Sequence, residues 1–363
     1  MMKCVTVIHI GFQDIAGRGI DANWIRTDQA ASRDEEARGR APYRGMVPFP
    51  LADPVADDFY AETVNTATAG HWDLIKIMTC GNYMPVAYGA DYEFSTNPQK
   101  WDGVFHSHPI TSAEDAGKLG VLDATNDTLA AEVAVDGRIV DTYKGEQPVL
   151  ATLFDPLSWV QELSTPMNPD WTLELMRSDP KALTHALEAL QETNDHFLDA
   201  LIDKGIDGIF MTTKFSRSTL ITPEEHREFV VPYLEHMAKK LKGRTWFSML
   251  HVHGDEGLYM DDLIDLDYQA FNWECCGTAP NLTSVADMRR KTDKVLITGF
   301  DQNHDFYGTP EQIKRRLATR LEDTLAQNDG GALIFGPGCT LPLDVDRSLF
   351  SLIYEVVHEA GLR

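Results

Sequence analysis

Residues 295–339 read VLITGFDQNHDFYGTPEQIKRRLATRLEDTLAQNDGGALIFGPGC, and this segment decides the fold of the chain. Two apolar runs of strand length, Val295–Phe300 and Ala332–Phe335, enclose a stretch with a helical pattern. That stretch opens with Thr309-Pro-Glu and extends to about Gln327; a threonine, a proline and an acid are the residues favoured at a helix start. The segment therefore predicts a strand, a helix and a second strand, which is the repeating unit of a parallel sheet.

The same alternation of strands and helices continues toward the N-terminus. The further predicted strands are Trp72–Met78, Val149–Phe154, Gly208–Thr212, Trp246–Val252 and Ala270–Cys275. The further predicted helices are Lys181–Lys204, Thr222 to about Leu241, Leu258–Leu266, Ser284–Lys291 and Asp346–Ala360. Strands that are apolar throughout indicate a parallel sheet covered on both faces by helices. Because no Gly-x-Gly-x-x-Gly follows a strand, we expect an α/β fold of the (β/α)8 TIM-barrel type, with a doubly wound open sheet as the alternative.

The domain organisation predicted from this pattern has two parts. Residues 1–70 are rich in turn-forming residues and are expected to form an N-terminal extension packed on the barrel. Residues 71–363 are expected to form the catalytic barrel itself. The apolar run VTVIHI near the N-terminus follows only Lys3 and has no small-residue cleavage site, so we interpret it as a strand or an apolar anchor segment and not as a signal peptide.

Composition and charge restrict the classes of partner. The formal net charge is −24, which disfavours binding to nucleic acid or to an anionic membrane surface. No stretch approaches the roughly 20 apolar residues that span a bilayer. Five cysteines, two of them adjacent, do not suggest a disulfide framework. We therefore expect a cytoplasmic protein with a small-molecule substrate, and its oligomeric state stays open.

Residue types that bind metals or transfer protons follow four of the predicted strands. The segments are His251-Val-His253-Gly254, Asn272-Trp-Glu-Cys-Cys276, Gly299-Phe-Asp-Gln302 and Gly336-Pro-Gly-Cys339. In a TIM barrel the active site lies at the C-terminal ends of the strands. The sequence therefore predicts that these four segments surround one site.

His251, His253 and Cys339 are the predicted metal ligands. Side chains two residues apart on a strand point to the same face, so the two histidines can converge on one point. A Gly-Pro-Gly turn precedes Cys339 and can bring its thiolate into the barrel mouth. Two imidazoles and a thiolate suit zinc, although other transition metals accept the same ligands. The structural alternative for a His-x-His pair is one packed and one solvated histidine.

Other residues near the predicted site have weaker claims. Glu274 and Asp301 are candidates for a catalytic proton shuttle, for a metal ligand or for a residue that supports a ligand, and a capping or structural carboxylate at a loop start is the alternative for each. Cys275 and Cys276 compete as ligands, but adjacent residues of a strand point to opposite faces, and buried free cysteine is the commoner fate. A second His-x-His pair, His106-Ser-His108, precedes a predicted helix start and is the least favoured candidate.

At these residues the sequence resembles the uroporphyrinogen decarboxylase superfamily, which includes the zinc-dependent corrinoid:thiol methyltransferases. The resemblance is clearest from about Asp207 to the end of the chain, and GALIFGPGCTLP at residues 331–342 is its most specific part. Other matching segments are Asp207-Gly-Ile-Phe210, TPEEHREFVVPY at 222–233, His251-Val-His-Gly254, Gly299-Phe-Asp301, Gly308-Thr-Pro-Glu311, Trp72–Met78, Ala87-Tyr-Gly-Ala90 and Phe154-Asp-Pro156. The resemblance implies a barrel fold.

In the methyltransferase branch, a His-x-Cys-Gly motif and a later cysteine bind the zinc that activates an acceptor thiol. The resemblance implies that His251 and Cys339 are two of these ligands, whereas His253 stands where the branch usually has cysteine. A His₂Cys site carries one negative charge less than a HisCys₂ site. A bound thiol would therefore lose its proton more readily, but its thiolate would be a poorer nucleophile.

In the decarboxylase branch no metal is used, and arginines near the N-terminus hold the substrate carboxylates. Arg38-Gly-Arg40-Ala-Pro-Tyr43-Arg44 partly matches that arginine segment, with Glu36 where its first arginine would fall. The predicted metal ligands have no counterpart in that metal-free branch. We therefore expect a metal-dependent methyltransferase that takes a methyl group from a corrinoid protein or related donor. A decarboxylase or lyase that acts through Arg38, Arg40 or Arg44 is the second hypothesis. A barrel that binds a corrinoid or porphyrin-like ligand without turnover is the third.

Overall fold

The computed structural model describes residues 9–11, 60–61, 63–64, 72–77, 82–93, 104–342 and 345–362. Most of the predicted extension, including Arg38, Arg40 and Arg44, lies outside the described residues. The strands are β1 (His9–Gly11), β2 (Ile75–Lys76), β3 (Tyr92–Glu93), β4 (Val104–Phe105), β5 (Val149–Phe154), β6 (Gly208–Thr213), β7 (Met249–Val252), β8 (Ala270–Trp273), β9 (Val295–Phe300) and β10 (Leu333–Pro337).

Helices follow most of the strands. They are α1 (Tyr83–Ala87), α2 (Ala113–Ala116), α3 (Asp127–Tyr143), α4 (Pro156–Leu163), α5 (Pro169–Ser178), α6 (Pro180–Asp203), α7 (Pro223–Phe229), α8 (Val231–Leu241), α9 (Val285–Arg289), α10 (Pro310–Asn328) and α11 (Ser351–Glu359). Two short 3₁₀ turns cover Met260–Asp262 and Arg347–Leu349. Capping boxes at Thr222 and Thr309 confirm the predicted starts of α7 and α10, because each threonine accepts a hydrogen bond from the third helical residue.

The main sheet curls into a TIM-type barrel, which confirms the predicted fold class. Its strand order is β1-β10-β9-β8-β7-β6-β5-β2, and the seven strands from β10 to β2 are parallel to their neighbours. The remaining strand, β1, runs antiparallel to β10. A regular (β/α)8 barrel has eight parallel strands, so β1 departs from that pattern within the described part of the chain.

Alternation along the strands decides which side chains face the barrel interior. On β7, Met249 belongs to an inner apolar cluster with Ile297, whereas Leu250 and Val252 pack outward against the helices. His251 is therefore on the inward face, and the period of two continues to His253. The register pairs His251 with Asn272 on β8, and Asn272 in turn with Ile297 on β9. This register brings the inward polar side chains of neighbouring strands to one level of the barrel.

The predicted helix Leu258–Leu266 is wrong. Only a 3₁₀ turn at Met260–Asp262 forms there, because the start of the segment is bound to the loop after β6. Leu258 forms a bridge with Arg217, and the Tyr259 backbone N–H donates to the Ser216 carbonyl. An antiparallel bridge needs an extended backbone at Leu258, and Tyr259 has a non-helical ψ of 50°, so no helix begins at these residues.

Several predicted boundaries also shift. The predicted helix from Thr222 to Leu241 is divided at Val230, where Pro232 cannot donate a hydrogen bond to the preceding turn. The strand predicted to end at Cys275 ends at Trp273, so that both adjacent cysteines lie in the following loop. The first predicted strand is reduced to Ile75–Lys76. No described helix is long and apolar enough to cross a membrane.

Candidate metal centre

Three predicted ligands meet at the C-terminal end of the barrel. His251, His253 and Cys339 each offer one ligand atom, and these atoms lie within 4.8 Å of one another. Among the described residues, this is the only group of three or more histidine, cysteine or acidic side chains whose possible ligand atoms converge within that distance. The structure thus brings together side chains from β7, from the residue that follows it and from the turn after β10.

Asn272 holds the ring of His251 in one orientation. The Asn272 amide nitrogen donates to the carbonyls of Ile297, at 2.7 Å, and Pro337, at 3.0 Å. Those two acceptors require the amide NH₂ at that side, so Oδ1 faces His251 and accepts a hydrogen bond from its Nδ1 at 2.6 Å. Nδ1 of His251 therefore carries the proton, and Nε2 keeps the lone pair that a metal needs.

Burial and positive charge keep the two imidazoles neutral. Burial lowers the pKa of His251 well below its usual value, and the charges of His253 and Lys76 lower it further. Burial lowers the pKa of His253 to about 4, assisted by the charges of Lys214 and Arg217. The neutral imidazole is the form that ligates a metal, so both rings are in the required state at neutral pH.

Aromatic and cationic side chains complete the surroundings of His251. Phe210 on β6 stacks against its ring with centroids 5.1 Å apart. The ammonium of Lys76, which is 2% exposed, lies 4.1 Å from the centroid of the same phenylalanine. The ring of His251 is thus fixed on one face by packing and at Nδ1 by a hydrogen bond.

Cys339 lies beside His253, with Sγ 3.6 Å from Nδ1 of the ring. The turn that delivers Cys339 requires glycine at position 338, because a Cβ there would lie 2.4 Å from Cα of Glu274. Burial raises the pKa of Cys339 to about 11, and the charge of Glu274 contributes in the same direction. Without a metal the thiol is therefore protonated at neutral pH.

Arg217 borders the other side of His253. A Cβ on Gly254 would lie 3.0 Å from Cδ and 3.1 Å from Nη1 of Arg217, so the guanidinium stem passes directly over that glycine. Gly254 has a φ of +123°, a conformation that glycine adopts without strain. Nε of Arg217 is buried and has no hydrogen-bond partner among the described residues. The positive charge of Arg217 lies close enough to lower the pKa of His253, and it also lowers that of Glu274.

The two predicted acid–base residues have different environments. Glu274 accepts a hydrogen bond from Gln302 at 2.8 Å, and burial raises its pKa. Asp301 instead accepts from the backbone N–H of Asn303 at 2.9 Å and contacts Nδ1 of His304 at 2.8 Å. These are the contacts of a carboxylate that caps its own loop. Glu274 keeps the stronger claim to a catalytic role, and both assignments stay predictions.

The remaining candidates lie apart from the cluster. The sulfurs of Cys275 and Cys276 contact each other at 3.3 Å, and neither belongs to the group of converging ligands. The ring of His108 packs 4.3 Å from that of Phe105, while His106 lies in the same exposed loop. Neither histidine of that pair joins a converging group within the described ranges.

Sequence reasoning included Asn272 in a predicted site segment but gave it no role, and it missed Phe210, Lys76 and Arg217 as parts of this site. The signal for Asn272 was available, because a polar residue at an inward position of an apolar strand is unusual and calls for a partner. Lys76 offered the same signal within the first predicted strand. Arg217 lies in a loop and offered none, because its position depends on the contact between the loops after β6 and β7.

The donor set fits a thiophilic transition metal. Two neutral imidazoles and a thiol leave one position of a tetrahedral site for another ligand, which is the pattern of a catalytic zinc site. The orientation of His251 by Asn272 is the kind of supporting hydrogen bond that metal-bound histidines have. His251, His253 and Cys339 would hold the ion, and its identity stays a prediction.

Comparisons with known proteins place the chain in a family. Residues 54–360 match the family described as Uroporphyrinogen decarboxylase (URO-D). A uroporphyrinogen decarboxylase of Pseudoalteromonas translucida is 24% identical over 289 residues, or 76% of this chain and 75% of that protein. One from Chlorobaculum tepidum is 23% identical over 197 residues, and the match spans about half of that relative, 54% of each chain.

Solved structures share the fold. A methyltransferase from Methanosarcina mazei has a TM-score of 0.70 and 15% identity, and the alignment covers 90% of this chain and 96% of that one. At this identity the likeness shows the fold alone. Because the family match extends over most of the sequence, the chain belongs to the uroporphyrinogen decarboxylase family.

Proposed function

We propose that this chain is a metal-dependent methyltransferase of the family. His251, His253 and Cys339 would hold the metal, for which zinc is the first candidate, and an acceptor such as a thiol would receive a methyl group from a methyl-corrinoid or related donor. The observation that carries the proposal is the convergence of these three ligand atoms within 4.8 Å at the catalytic end of the barrel. A decarboxylase that uses no metal has no need of such a donor set.

A bound zinc ion would supply Lewis acidity, which lowers the pKa of an acceptor thiol so that it reacts as the thiolate. The chain's own residues prepare this function. Asn272 keeps the proton of His251 on Nδ1, which leaves Nε2 available as a ligand. Phe210 stacks on the same ring and limits its rotation.

Glu274 is the candidate for proton transfer at this site. Gln302 donates to its Oε2, and burial raises the pKa of this carboxyl, which makes its carboxylate a stronger base than a solvated one. The close packing of Gly338 on its backbone keeps Glu274 beside the turn that carries Cys339. A carboxylate in this position can accept the proton that an acceptor thiol loses.

His253 in place of cysteine changes the expected acceptor. One thiolate instead of two leaves the ligand set less negative, so an acceptor would be deprotonated more easily but would attack less strongly. Positive charge from Lys214 and Arg217 near His253 acts in the same direction. We therefore expect an acceptor that is a good nucleophile even as a weakly basic anion.

The alternative is a metal-free decarboxylase or lyase that acts on a carboxylated, porphyrinogen-like substrate. It is favoured by the name that the curated relatives carry, uroporphyrinogen decarboxylase. The arginines that would serve it, Arg38, Arg40 and Arg44, lie outside the described residues. An Arg38→Ala variant that loses porphyrinogen turnover would favour this alternative over methyl transfer.

Elemental analysis and a methyl-transfer assay test the leading proposal. The full chain is purified, reconstituted with zinc and mixed with methylcobalamin and 2-mercaptoethanol, and demethylation of the corrinoid is followed by absorbance. We expect one zinc ion for each chain, and loss of zinc and of turnover in His251→Ala and Cys339→Ala. His236→Ala is the control, because His236 is half exposed and contacts only Asp195, at 2.8 Å, among the described acidic side chains of the outer helices. A chain that stays metal-free after reconstitution would refute the proposal.

A further inference from the structure

Two adjacent thiols lie close together outside the metal cluster. Sγ of Cys275 and Sγ of Cys276 are 3.3 Å apart, and the Cys276 thiol also lies 3.5 Å from the carbonyl oxygen of Gly299. Both side chains are partly accessible to solvent. Neither the metal ligands nor the proposed proton transfer requires them.

This closeness arises because strand β8 ends at Trp273. Within a strand, adjacent side chains would point to opposite faces and their sulfurs would be far apart. In the loop that follows, the backbone turns enough for both sulfurs to meet. Gly277 comes next with a φ of +139°, and apart from its two chain neighbours no atom of the described residues lies within 4 Å of where its Cβ would be. The loop therefore has room to change conformation at this point.

We propose that Cys275 and Cys276 form a reversible redox site that a small-molecule disulfide oxidises to an intramolecular disulfide. In the first step the thiolate of Cys275 attacks the small disulfide, forms a mixed disulfide and releases one small thiolate. In the second step the thiolate of Cys276 attacks the Cys275 sulfur, closes the ring and releases the second small thiolate. The protein loses two electrons and two protons, and the small disulfide becomes two thiols.

Electrostatics favour Cys275 as the attacking group. Hydrogen bonding from the Cys276 thiol lowers its pKa, and the positive charge of Arg320 contributes in the same direction. Arg320 is held in place by an ion pair with Asp305 at 2.9 Å. A thiol with a lowered pKa provides more thiolate at neutral pH, and the thiolate is the form that attacks.

The ring formed by adjacent cysteines would be strained and therefore easily reduced. Consecutive Cα atoms are about 3.8 Å apart across a trans peptide, below the roughly 4.4 to 6.8 Å that disulfides usually span. Strained disulfides are the labile ones, so this bond suits reversible modification more than permanent stabilisation. Since Glu274 precedes Cys275 and packs against Gly338, ring closure would also disturb the turn that carries Cys339.

Mass spectrometry of the oxidised full chain tests the proposal without any assay of activity. The reduced protein is treated with oxidised glutathione, and the intact mass and the peptide containing both cysteines are measured. In the peptide that contains Cys275 and Cys276 we expect a loss of two hydrogen atoms, no retained glutathione and a bond between the two sulfurs. Reduction with dithiothreitol should reverse the change.

Three variants and one probe make the outcome decisive. Cys275→Ser and Cys276→Ser should each stop ring closure, and the remaining cysteine should retain glutathione. Cys339→Ser should still form the bond, which separates this site from the metal cluster. Phenylarsine oxide, which binds paired thiols, should be captured by Cys339→Ser and not by Cys275→Ser. Glutathione retained on the wild-type pair, or a bond from either cysteine to Cys339, would overturn the proposal.

Discussion

Replacement of Asn272 by leucine tests whether this side chain prepares His251 for a metal. Asn272 is 1% exposed and has three hydrogen-bonding partners, namely Nδ1 of His251 and the carbonyls of Ile297 and Pro337. Leucine has a similar volume and satisfies none of them. We expect the variant to lose stability and metal affinity together, for two separable reasons.

The loss of stability follows from the buried groups left without partners. Each such group costs about 1 to 3 kcal/mol, so three of them should lower the free energy of unfolding by about 3 kcal/mol or more. The loss of metal affinity follows from the freed ring of His251, which could then rotate or carry its proton on Nε2. Removal of a hydrogen bond that supports a metal ligand typically lowers affinity about 10- to 100-fold.

Asn194→Leu is the matched control for the stability effect. Asn194 is also fully buried, accepts from Nε1 of Trp159 at 3.2 Å and donates to the carbonyl of Phe154 at 3.0 Å. Its loss should cost about 2 kcal/mol or more, because two groups lose their partner. It lies outside the cluster and should leave zinc affinity unchanged.

Asn272→Asp separates orientation of the ring from stability of the fold. Its carboxylate still accepts from Nδ1 of His251, but it faces the carbonyls of Ile297 and Pro337 without a proton to donate. We expect lower stability with zinc affinity retained. Unfolding in urea gives the stability, and competition with a chromophoric chelator gives the affinity. A folded Asn272→Leu chain that binds zinc as tightly as the wild type would refute this role of Asn272.

Zinc binding to the metal-free chain should release one proton, because the pKa of Cys339 is raised to about 11 by burial while both histidines are already neutral. Calorimetry in two buffers of different ionisation enthalpy counts the protons, and a count near two would mean that a second thiol ligates. The pKa of His253 is about 4 in the folded chain and about 6.5 in the unfolded chain. Between these two values the unfolded chain binds more protons, so the free energy of unfolding should fall as the pH decreases from about 6.5 toward 4. His253→Gln should remove this part of the decline in urea unfolding, and Arg217→Gln, which removes a positive charge, should raise the pKa of His253 in imidazole NMR spectra. Gly338→Ala puts a Cβ 2.4 Å from Cα of Glu274, so the turn that carries Cys339 must move. Zinc affinity should then fall about tenfold or more. An unchanged affinity would show that the turn tolerates the shift.

Two strands could be predicted from sequence with both of their bounds, because these bounds depend on local patterns. Val295–Phe300 and Val149–Phe154 are strands with the predicted bounds, since a continuous apolar run fixes both the type and the length of a buried parallel strand. The common inward face of His251 and His253 follows from the period of two along β7. The same periodicity stops at the end of the strand that precedes Cys339. It therefore does not predict the path of the turn that brings Cys339 to the two histidines.

The parts that sequence could not give depend on contacts between distant segments. Asn272 is fixed by partners on β7, β9 and the end of β10, and no local pattern specifies three strands at once. The helix predicted from Leu258 fails because an antiparallel bridge to Arg217, which is distant in sequence, holds Leu258 in an extended conformation. The antiparallel pairing of β1 with β10 also joins the two ends of the chain, so neither end alone predicts it.

The net charge of the whole chain does not describe the electric field at the cluster. The chain carries −24 overall, yet the charges of Lys76, Lys214 and Arg217 all lower histidine pKa values at this site. These cations oppose the approach of a bare metal ion, but they also keep the imidazoles in the neutral form that ligates. Among the three proposed ligands only Cys339 could then supply negative charge, so its deprotonation would couple metal binding to pH. A second cysteine at position 253 would bring one more negative charge to these cations, so histidine at that position leaves the site more positive and more attractive to an anionic acceptor.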